Sequence, residues 1–369
     1  MLLSDICEII MGQSPSSDSY NVKGQGLPFF QGNADFGKLY PSVRLWCNCP
    51  IKIAEAGDLL VSVRAPIGAV NLANQKCCIG RGLAALRPYR DKCDAMYLYY
   101  LIKAGKNKLN WLGTGSTFKA ITRSSLLSFN VPDYCIAFQR KISGKLWSVD
   151  KLIHQRNEQL KLFDLLIQSR FLEMFGMSEG IDKHLEDVAD ICSGITKGRK
   201  VLGLELREVP YMAVSNVKMG YIDLSTVKTI MATENEIKQY RLFPNDILMT
   251  EGGDPDKVGR GAIIRNPPKD CIHQNHIFRV RLHKDVLLPE FFEEYLQGNS
   301  ARRYFLKAAK QTTGIASINM KQLRALPVKI PPIKVQIQYS DFVHQVDKSK
   351  YREAIFLYLL EDIRICCNI

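Results

Sequence analysis

The sequence has few of the features that mark membrane or secreted proteins. No apolar run approaches the roughly 20 residues that a membrane-spanning helix needs. The first residues also lack the basic start and apolar stretch of a signal peptide, because the acidic residue Asp5 follows at once. We therefore expect a protein without a membrane partner and take the cytoplasm as its location.

The eleven cysteines lack the spacing of a structural zinc site. Pairs such as Cys47/Cys49 and Cys77/Cys78 are too close together, since zinc-binding pairs usually have about two to four residues between their cysteines. Others are scattered singly through apolar stretches, where free cysteine behaves as a small buried hydrophobe. We expect core positions for them, with neither a metal site nor disulfides.

Acidic residues are in deficit, since 37 Asp and Glu face 50 Lys and Arg, and the net charge is +13. An excess of Lys and Arg without a membrane signature favours polyanionic partners, of which nucleic acid is the commonest. A basic surface that only aids solubility is the alternative. Charge alone leaves both interpretations open.

What the sequence does contain is an internal repeat. Leu3–Gly12 recurs as Leu185–Gly194, and residues 27–30 recur as 209–212, both at a shift of 182 positions. Gly57–Leu60 recurs as 245–248 at a shift of 188. A last group recurs at a shift of 199, with Leu127, Val131, Pro132 and Gln139 matched to Leu326, Ile330, Pro331 and Gln338. So long a period excludes a solenoid, whose units have about 20–50 residues, and indicates two like domains with two like ligand sites.

Each copy is followed by a stretch with helical spacing of its apolar residues. Residues 139–175 contain no proline and carry a stripe with one missing step, formed by Ile142, Leu146, Val149, Ile153, Leu160, Phe163, Ile167, Phe171 and Met174. Such a helix would be roughly 55 Å long, and Gly176 is suited to cap its end. Residues 335–365 carry a second stripe, weakened in the middle by Lys350 and Glu353, that consists of Phe342, Val343, Val346, Leu357, Leu360 and Ile363.

These patterns predict a fold class and a domain order. A long helix with one apolar stripe needs a partner helix, so we expect the two helices to pair as an antiparallel coiled-coil spacer. Each copy has short β-type runs at its centre and helical spacing at its end, which predicts a duplicated α/β (α+β) domain. The expected order is a first domain at 1–133, a first spacer helix at 134–177, a second domain at 178–332 and a second spacer helix at 333–369.

In this order the features resemble the specificity subunit of type I restriction–modification systems, over nearly the whole chain. The segments that carry the resemblance are the opening Gly12–Ser16, Gly57–Gly68, Ile79–Leu86, Asp246–Gly261, Thr114–Lys119, Thr313–Asn319 and the helix entries Pro132…Gln139 and Pro331-Pro332…Gln336. No single motif is decisive, whereas the set, in order and twice, is specific. The first copy departs from the pattern, because it has one proline where two are usual and its glutamine comes two residues late.

The resemblance implies a protein that binds double-stranded DNA and performs no chemistry itself. Each target-recognition domain would read one half of a split target sequence, and the paired helices would set the unread gap. The implied partners are two modification (methyltransferase) subunits and the restriction (endonuclease and translocase) subunits, which carry out methyl transfer and cleavage. No cofactor of its own is implied.

Two other classes of function stay open on the residues alone, a fused DNA-modification enzyme and a structural spacer. Asn266-Pro267-Pro268-Lys269 is similar to the Asn/Asp-Pro-Pro-aromatic motif of amino-methyltransferases, but Lys269 replaces the aromatic residue that stacks on a flipped base. We interpret this segment as a proline-rich turn. A spacer that only joined proteins would not need two basic domains.

Three further motifs have part of a pattern that is typical of chemistry. Thr196–Lys200 lacks the full phosphate-loop pattern, and Glu236–Lys238 is interpreted as an exposed helix face. Cys271, His273 and His276 could ligate a metal, although a polar cluster at a strand edge is the better interpretation.

Candidate DNA contacts are basic and amide side chains near glycines in predicted loops, where the backbone can approach a ligand. Arg or Lys reads guanine and Asn or Gln reads adenine, whereas phosphates take Lys, Arg, Ser or Thr. The candidates are Arg44, Arg64, Lys76, Arg81, Ser116 and Lys119 in the first domain, and Lys197, Arg199, Lys200, Lys257, Arg260, Gln274 and Asn275 in the second. The alternative for each is a solvated surface charge. The neighbouring aromatic residues Phe29, Phe30, Phe118 and Tyr211 are expected in the core.

Overall fold

A computed structural model describes residues 1–113, 119–176, 180–199, 205–253, 258–312 and 315–366. The chain divides into two compact units, one formed by Met1–Glu158 with Ala354–Ile369 and the other by Gln159–Glu353. Each unit contains one copy of the repeat together with a segment of each long helix. None of the helices among the described residues is both long and apolar enough to span a membrane.

The first copy consists mainly of short strands followed by three helices. Its strands are β1 Cys7–Met11, β2 Tyr20–Asn21, β3 Leu27–Phe30, β4 Leu45–Cys47, β5 Ile53–Ala54, β6 Leu59–Ser62, β7 Val70–Leu72, β8 Cys77–Ile79 and β9 Leu83–Pro88. Its helices are α1 Ala95–Ala104, α2 Lys106–Leu112 and α3 Arg123–Leu127, and the long helix α4 Ile136–Phe175 follows.

The second copy repeats this plan with additional elements. It begins with β10 Ile181–His184, β11 Ala189–Ser193, β12 Arg207–Met212, β13 Lys228–Ala232, α5 Glu234–Tyr240, β14 Asp246–Thr250, β15 Gly252–Gly253, β16 Gly261–Ile264 and β17 Ile272–His273. It continues with β18 Ile277–Leu282, α6 Pro289–Gln297, α7 Asn299–Ala308, β19 Lys310–Thr312, β20 Ile315–Ser317, α8 Met320–Arg324 and β21 Pro327–Ile330. The second long helix is α9 Ile333–Cys366.

The sheet topology is repeated as well. Each copy has a four-stranded antiparallel sheet, ordered β1-β9-β6-β7 in the first unit and β11-β18-β14-β16 in the second. Each also has a second sheet that contains one parallel pair, β3 with β8 or β12 with β17. Antiparallel pairing dominates, so the fold is of the α+β kind, as the sequence predicts.

Each unit has its own core, in which the four-stranded sheet packs on a helix and on part of α4. In the first unit Leu59 and Leu86 pack with Leu98 of α1 and Leu146 of α4. In the second, buried strand residues pack on Phe291 and Phe292, and Phe171 and Phe175 of α4 lie against them. The expected core positions are confirmed for Phe29, Phe30, Tyr211 and for Cys7, Cys47, Cys77, Cys78, Cys93 and Cys271. The prediction is wrong for Cys49 and Cys135, which are exposed, and Cys192 is only half-buried. Phe118 lies outside the described residues.

The apolar stripe of α4 is buried or half-buried at every predicted position. The helix ends at Phe175, and the amide of Gly176 donates to the carbonyl of Leu172 at 2.8 Å. On α9 one stripe residue was wrongly predicted, since Ile363 is 48% exposed. Arg364 takes the inward position instead, and its guanidinium lies 3.5 Å from Asp150 of α4.

Segments of α4 and α9 contact each other within each unit. In the first unit the guanidinium of Arg156 lies 5.2 Å from the centre of the Phe356 ring. In the second, the ammonium of Lys350 lies 2.6 Å from Asp164, so this predicted weak point of the stripe is an ion pair. Further along α4, the rings of Phe171 and Tyr339 lie 5.5 Å apart. In both units the residue number on α9 falls as the number on α4 rises.

A buried glutamine fixes the start of each long helix. The side chain of Gln139 accepts from the amide of Asp94 at 3.0 Å and donates to the carbonyls of Lys92 and Tyr134 at 2.9 and 2.8 Å. Gln336 makes the same three bonds, with the amide of Leu288 at 2.9 Å and the carbonyls of Val286 and Pro331 at 3.0 and 2.8 Å. Both residues are at most 2% exposed. The glutamine in the helix-entry motif therefore has a structural role.

These bonds correct the sequence alignment of the two copies at this point. Gln139 corresponds to the buried Gln336, and Gln338, which was matched to it, is exposed. Phe129 and Leu326 also correspond, because their carbonyls accept from Leu3 and Leu185. The true shift is therefore 197 positions here. Aligning Pro132 with Pro331 caused the error, since Pro331 takes the place of Tyr134 in the glutamine network.

Candidate nucleic-acid interface

The repeated Gly-Asp or Asn-Asp pair anchors one central strand of each unit. Gly57 and Asn245 have φ values of +93° and +74°, a left-handed conformation that glycine adopts freely and asparagine tolerates. The aspartate that follows is 2% exposed in both copies. Each carboxylate forms a two-point ion pair with an arginine of the adjacent strand, Asp58 with Arg87 at 3.0 and 2.9 Å and Asp246 with Arg281 at 2.7 and 2.8 Å. The motif thus fixes β6 and β14, and the loops at their far ends are positioned as a consequence.

At the far end of β6, backbone hydrogen bonds hold four loops side by side. The amide of Val63 donates to the carbonyl of Gly82 at 2.9 Å, and the amide of Ile121 donates to the carbonyl of Val63 at 2.9 Å. The amides of Gln13 and Gly80 donate to the carbonyls of Ile79 and Phe30 at 3.0 and 2.8 Å.

The second unit repeats these four bonds at corresponding positions. The amide of Glu251 donates to the carbonyl of His276 at 3.0 Å, and the amide of Ile318 donates to the carbonyl of Glu251 at 2.8 Å. The amides of Ile195 and Gln274 donate to the carbonyls of His273 and Met212 at 2.8 and 3.0 Å. The chain therefore builds the same loop-bearing edge twice.

Five polar side chains lie on the loops of the first edge, and we call them the first loop cluster: Ser14, Gln31, Arg64, Arg81 and Lys119. The Ser14 hydroxyl accepts from the amide of Arg81 at 3.2 Å. The backbone carbonyl oxygen of Gln31 lies so close to Gly82 that a Cβ atom on residue 82 would be 2.4 Å from that oxygen. Ala120, next to Lys119, forms a β-bridge with Arg64. The three basic side chains are exposed, and none forms an ion pair with a described residue.

The remaining candidates of the first unit are placed differently. Arg44 makes an ion pair with the buried carboxylate of Asp35, which neutralises part of its charge. The same carboxylate accepts from the backbone amide of Gln31 at 2.7 Å, so Arg44 lies beside the cluster. Lys76 pairs with Glu55 at 3.0 Å, near the start of β6 and away from the loops that follow it. Ser116 lies outside the described residues.

Four polar side chains lie on the loops of the second edge, and we call them the second loop cluster: Glu251, Gln274, Asn275 and His276. The Nδ1 atom of His276 lies 2.6 Å from the Glu251 carboxylate, and Gln274 and Asn275 are half-buried beside them. An amide pair suits adenine, and a carboxylate can accept from the amino group of cytosine. Lys197 is exposed two residues after Ile195, so it borders this cluster.

The other candidates of the second unit lie apart from these four residues or outside the described residues. Arg199 donates to Glu236 at 2.6 Å and to the carbonyl of Met231 at 3.0 Å, and hydrogen bonds from Arg199 lower the pKa of Glu236 to about 2. Glu236 also accepts from the amide of Thr233 at 2.9 Å at the start of α5, so the predicted exposed helix face is wrong here. Lys200 and Lys257 lie outside the described residues.

Arg260 is not the counterpart of Arg64. Its carbonyl accepts from the amide of Thr250 at 3.0 Å, and the equivalent bond in the first unit joins Ser62 to Ala69 at 2.8 Å. The position of Arg64 corresponds to Gly252 in the second unit, one residue after Glu251. The two clusters therefore carry different side chains on one backbone plan.

His273 and the segment Asn266–Lys269 have structural roles and take no part in other chemistry. His273 is fully buried, its Nδ1 lies 3.1 Å from the carbonyl of Ile277, and burial lowers its pKa to about 3. Asn266–Lys269 lies in the turn between β16 and β17, as the sequence predicts. Within the described ranges, His, Cys, Asp and Glu side chains form no group of three that could hold a metal ion.

Sequence reasoning missed Ser14, Gln31, Glu251 and His276. A search for basic residues passes over a carboxylate and a neutral hydroxyl. Glu251 could have been found, because it directly follows the repeated strand β14 and thus occupies the position of Val63. Gln31 likewise follows β3 directly.

Comparisons with known proteins agree with the duplicated architecture. A family model described as "Type I restriction modification DNA specificity domain" matches twice, at residues 1–162 and 179–354. The putative type I restriction enzyme MjaX specificity subunit of Methanocaldococcus jannaschii is 44% identical over 152 residues, which cover 41% of this chain and 36% of that protein.

Two further relatives extend over more of the chain. The type I restriction enzyme EcoKI specificity subunit of Escherichia coli (strain K12) is 24% identical over 297 residues, which cover 73% of this chain and 62% of that protein. Thus this chain spans about a third to two thirds of the length of these two curated relatives. The crystal structure of the S subunit of a type I restriction–modification system from M. genitalium matches with a TM-score of 0.59 at 14% identity, over 100% of this chain and 94% of that chain, and so shares the fold.

Proposed function

The chain belongs to the family of type I restriction–modification DNA specificity domains, and on this premise we propose that it is the DNA-recognition subunit of such a system. Its two loop clusters each read one half of a bipartite target in double-stranded DNA. It carries no catalytic residue of its own and needs no cofactor, so methyl transfer and cleavage are left to its partners.

The observation that carries this proposal is the duplicated edge of loops. The same four backbone hydrogen bonds recur in both units, so the fold presents a side-chain set at equivalent places twice. The sets differ, with Arg64, Arg81 and Lys119 in one unit and Glu251, Gln274 and Asn275 in the other. A constant backbone with different polar side chains is what reading two unlike half-sites requires. The net charge of +13 favours a polyanion.

The proposed role of α4 and α9 is that of an antiparallel coiled-coil spacer between the two target-recognition domains. The contacts within each unit support this, because α9 numbers fall as α4 numbers rise. The corresponding domain bounds are 1–133 and 178–332, with spacer helices at 134–177 and 333–369. The spacer length would set the number of unread base pairs.

The proposed partners are two modification (methyltransferase) subunits and the restriction (endonuclease and translocase) subunits. Support for docking on the helices comes from large apolar residues of α4 that stay exposed, namely Leu162, Leu165, Leu166 and Leu172. A soluble helix that exposes several leucines marks a protein-binding surface. Because the proposed target is cellular DNA, the proposed site of action is the cytoplasm.

The proposal is tested by coexpressing the chain with its modification subunit and mapping methylated adenines in host DNA by single-molecule sequencing. The expected result is one split motif, with two short halves around a fixed gap. An assembled complex that binds methyl donor yet methylates no site would refute the proposal.

Variants in the two clusters make the test specific. Arg64→Ala should relax one base of one half-site, and Asn275→Ala one base of the other half, each with a loss of about 1–3 kcal/mol in DNA-binding free energy. Lys76→Ala is the matched control, because it removes a positive charge in the first unit away from the cluster. If the Lys76 variant changed the motif and the other two did not, the assignment of the clusters would be wrong.

A further inference from the structure

The second unit contains a cavity that DNA recognition leaves unexplained. Its volume is about 670 Å³, and it lies among α6, the end of β16 and the long helices. Five carboxylates line it, those of Asp164, Glu290, Glu293, Glu294 and Asp347. Two basic side chains line it as well, Arg265 and Lys350, so its formal charge is negative.

Both basic side chains are engaged with part of this acidic set. The guanidinium of Arg265 lies 3.2 Å from Asp347 and 3.7 Å from Glu293. The ammonium of Lys350 lies 2.6 Å from Asp164 and 3.8 Å from Asp347. Glu294 has no cationic partner within 4 Å among the described residues, and its carboxylate meets only the amide of Gln297, at 3.4 Å. Burial raises the pKa of Glu293 and of Glu294 to about 7, so a bound cation would stabilise their ionised forms.

A second observation at this cavity points to a ligand. Tyr339 also lines the cavity, is 0% exposed, and its hydroxyl makes no hydrogen bond with any described residue. A buried hydroxyl without a partner is costly. Burial raises the pKa of Tyr339, and the negative charges of Glu294, Glu293 and Glu290, which also line the cavity, raise it further.

In the first unit, aromatic side chains occupy the positions that correspond to Glu293 and Glu294. Helices α1 and α6 begin at equivalent residues, so Glu293 and Glu294 correspond to Tyr99 and Tyr100. There the hydroxyl of Tyr100 donates to Asp150 at 3.1 Å, and the ammonium of Lys103 lies 3.2 Å from the same carboxylate. In the first unit a tyrosine and an ammonium group thus share one carboxylate, whereas in the second unit Glu293 and Glu294 take the places of the two tyrosines and line the cavity.

We propose that this cavity, lined by Glu293, Glu294 and Tyr339, binds a single ammonium or guanidinium group. Such a cation donates several hydrogen bonds to carboxylates and can donate to the tyrosine oxygen as well. Its source is either a free polyamine or the Lys or Arg side chain of a partner protein. The proposal does not depend on the proposed function, because binding is measured on the full chain without DNA.

The test is calorimetric titration of the full chain at pH 8 with two probes, spermidine and N-acetylarginine amide. We expect saturable binding at one site per chain. Glu294→Gln and Tyr339→Phe should each weaken binding by about tenfold, because each removes one charge-assisted hydrogen-bond partner. Asp341→Asn is the matched control on α9, since Asp341 is exposed and does not line the cavity.

A third variant keeps the test decisive if Glu294→Gln or Tyr339→Phe is unstable. Glu294→Tyr introduces the residue of the first unit, so it should close the cavity and abolish binding while the thermal transition stays cooperative. Preference for spermidine would identify a free polyamine as the ligand, and preference for N-acetylarginine amide would identify a protein side chain. Absence of saturable binding by either probe, or binding unchanged in Glu294→Tyr, would overturn the proposal.

Discussion

Replacing Gln336 by alanine should destabilise the second unit by about 3 kcal/mol, although Gln336 touches no proposed DNA-reading residue. Its side chain is 0% exposed and makes three hydrogen bonds with backbone groups. One bond joins it to the amide before α6, and two join it to carbonyls before α6 and α9. The substitution therefore removes the link between the start of the long helix and the domain that it follows.

The magnitude comes from these three bonds. A hydrogen bond within a protein contributes about 1 kcal/mol net, and a buried backbone group left without a partner costs about 1–3 kcal/mol. Three lost bonds give about 3 kcal/mol as a lower bound if water does not enter the gap. For a unit of this size, a change of 1 kcal/mol shifts the melting temperature by about 2–4 °C, so we expect a shift of about 6–12 °C.

The assay is urea unfolding together with hydrogen exchange of the amide of Leu288, which donates to the Gln336 side chain. Gln338→Ala is the matched control, because Gln338 lies on the same helix and is exposed. We expect the control to change stability by less than about 0.5 kcal/mol. In the first unit Gln139→Ala should reproduce the effect of Gln336→Ala, since it makes the same three bonds.

Equal effects of Gln336→Ala and Gln338→Ala would refute this reasoning. So would a loss below about 1 kcal/mol with unchanged exchange at Leu288, because a single bond of average strength already contributes that amount. Either result would mean that the glutamine network does not hold the helix entry in solution.

Two further predictions concern buried charge. Burial lowers the pKa of His273 to about 3. Its neutral form therefore contributes stability above pH ~6.5 that is lost as the pH falls toward ~3. His273→Gln should remove this loss of stability in acid, so the urea midpoints of the variant at pH 5 and pH 8 should converge. A variant with the same pH slope as the parent would contradict this. Asp58→Asn should lower the free energy of unfolding by about 2 kcal/mol, because it leaves the partly exposed Arg87 without its two-point partner. The exposed carboxylate of Glu8 lies 3.5 Å from the same guanidinium, and Glu8→Gln should cost under about 0.5 kcal/mol by thermal unfolding. Similar losses in both variants would show that burial of Asp58 does not matter.

Short motifs were predictable where they impose a backbone requirement. Gly57 and Asn245 occupy left-handed positions that few residues tolerate, so the pair before each central strand repeats visibly in the sequence. The apolar stripe of α4 was predictable for the same kind of reason, since its period follows from 3.6 residues per turn. By contrast, the prediction of a buried Ile363 was wrong, because the spacing of apolar residues does not reveal that Arg364 has an acidic partner in Asp150.

The candidate site was predictable only in part. Arg64, Arg81, Gln274 and Asn275 lie on the two edges of loops, as glycine-rich surroundings suggested. Arg199 has the same local sequence character, yet Glu236 and a carbonyl group take up its donors. Whether a basic residue is free depends on a carboxylate 37 positions away in the chain, and no local pattern contains that information.

The sequence by itself determined the duplication, the order of globular and helical segments and the family, because each of these is written in periodicity and in the order of motifs. Only the tertiary structure decided which residues correspond between the copies, which polar side chains meet on one edge, and that five carboxylates line one cavity with a tyrosine whose hydroxyl has no partner in the described part of the chain. The physical reason is that burial, ion pairing and hydrogen bonding join residues far apart in the chain, and their energies depend on distances that exist only once the chain is folded.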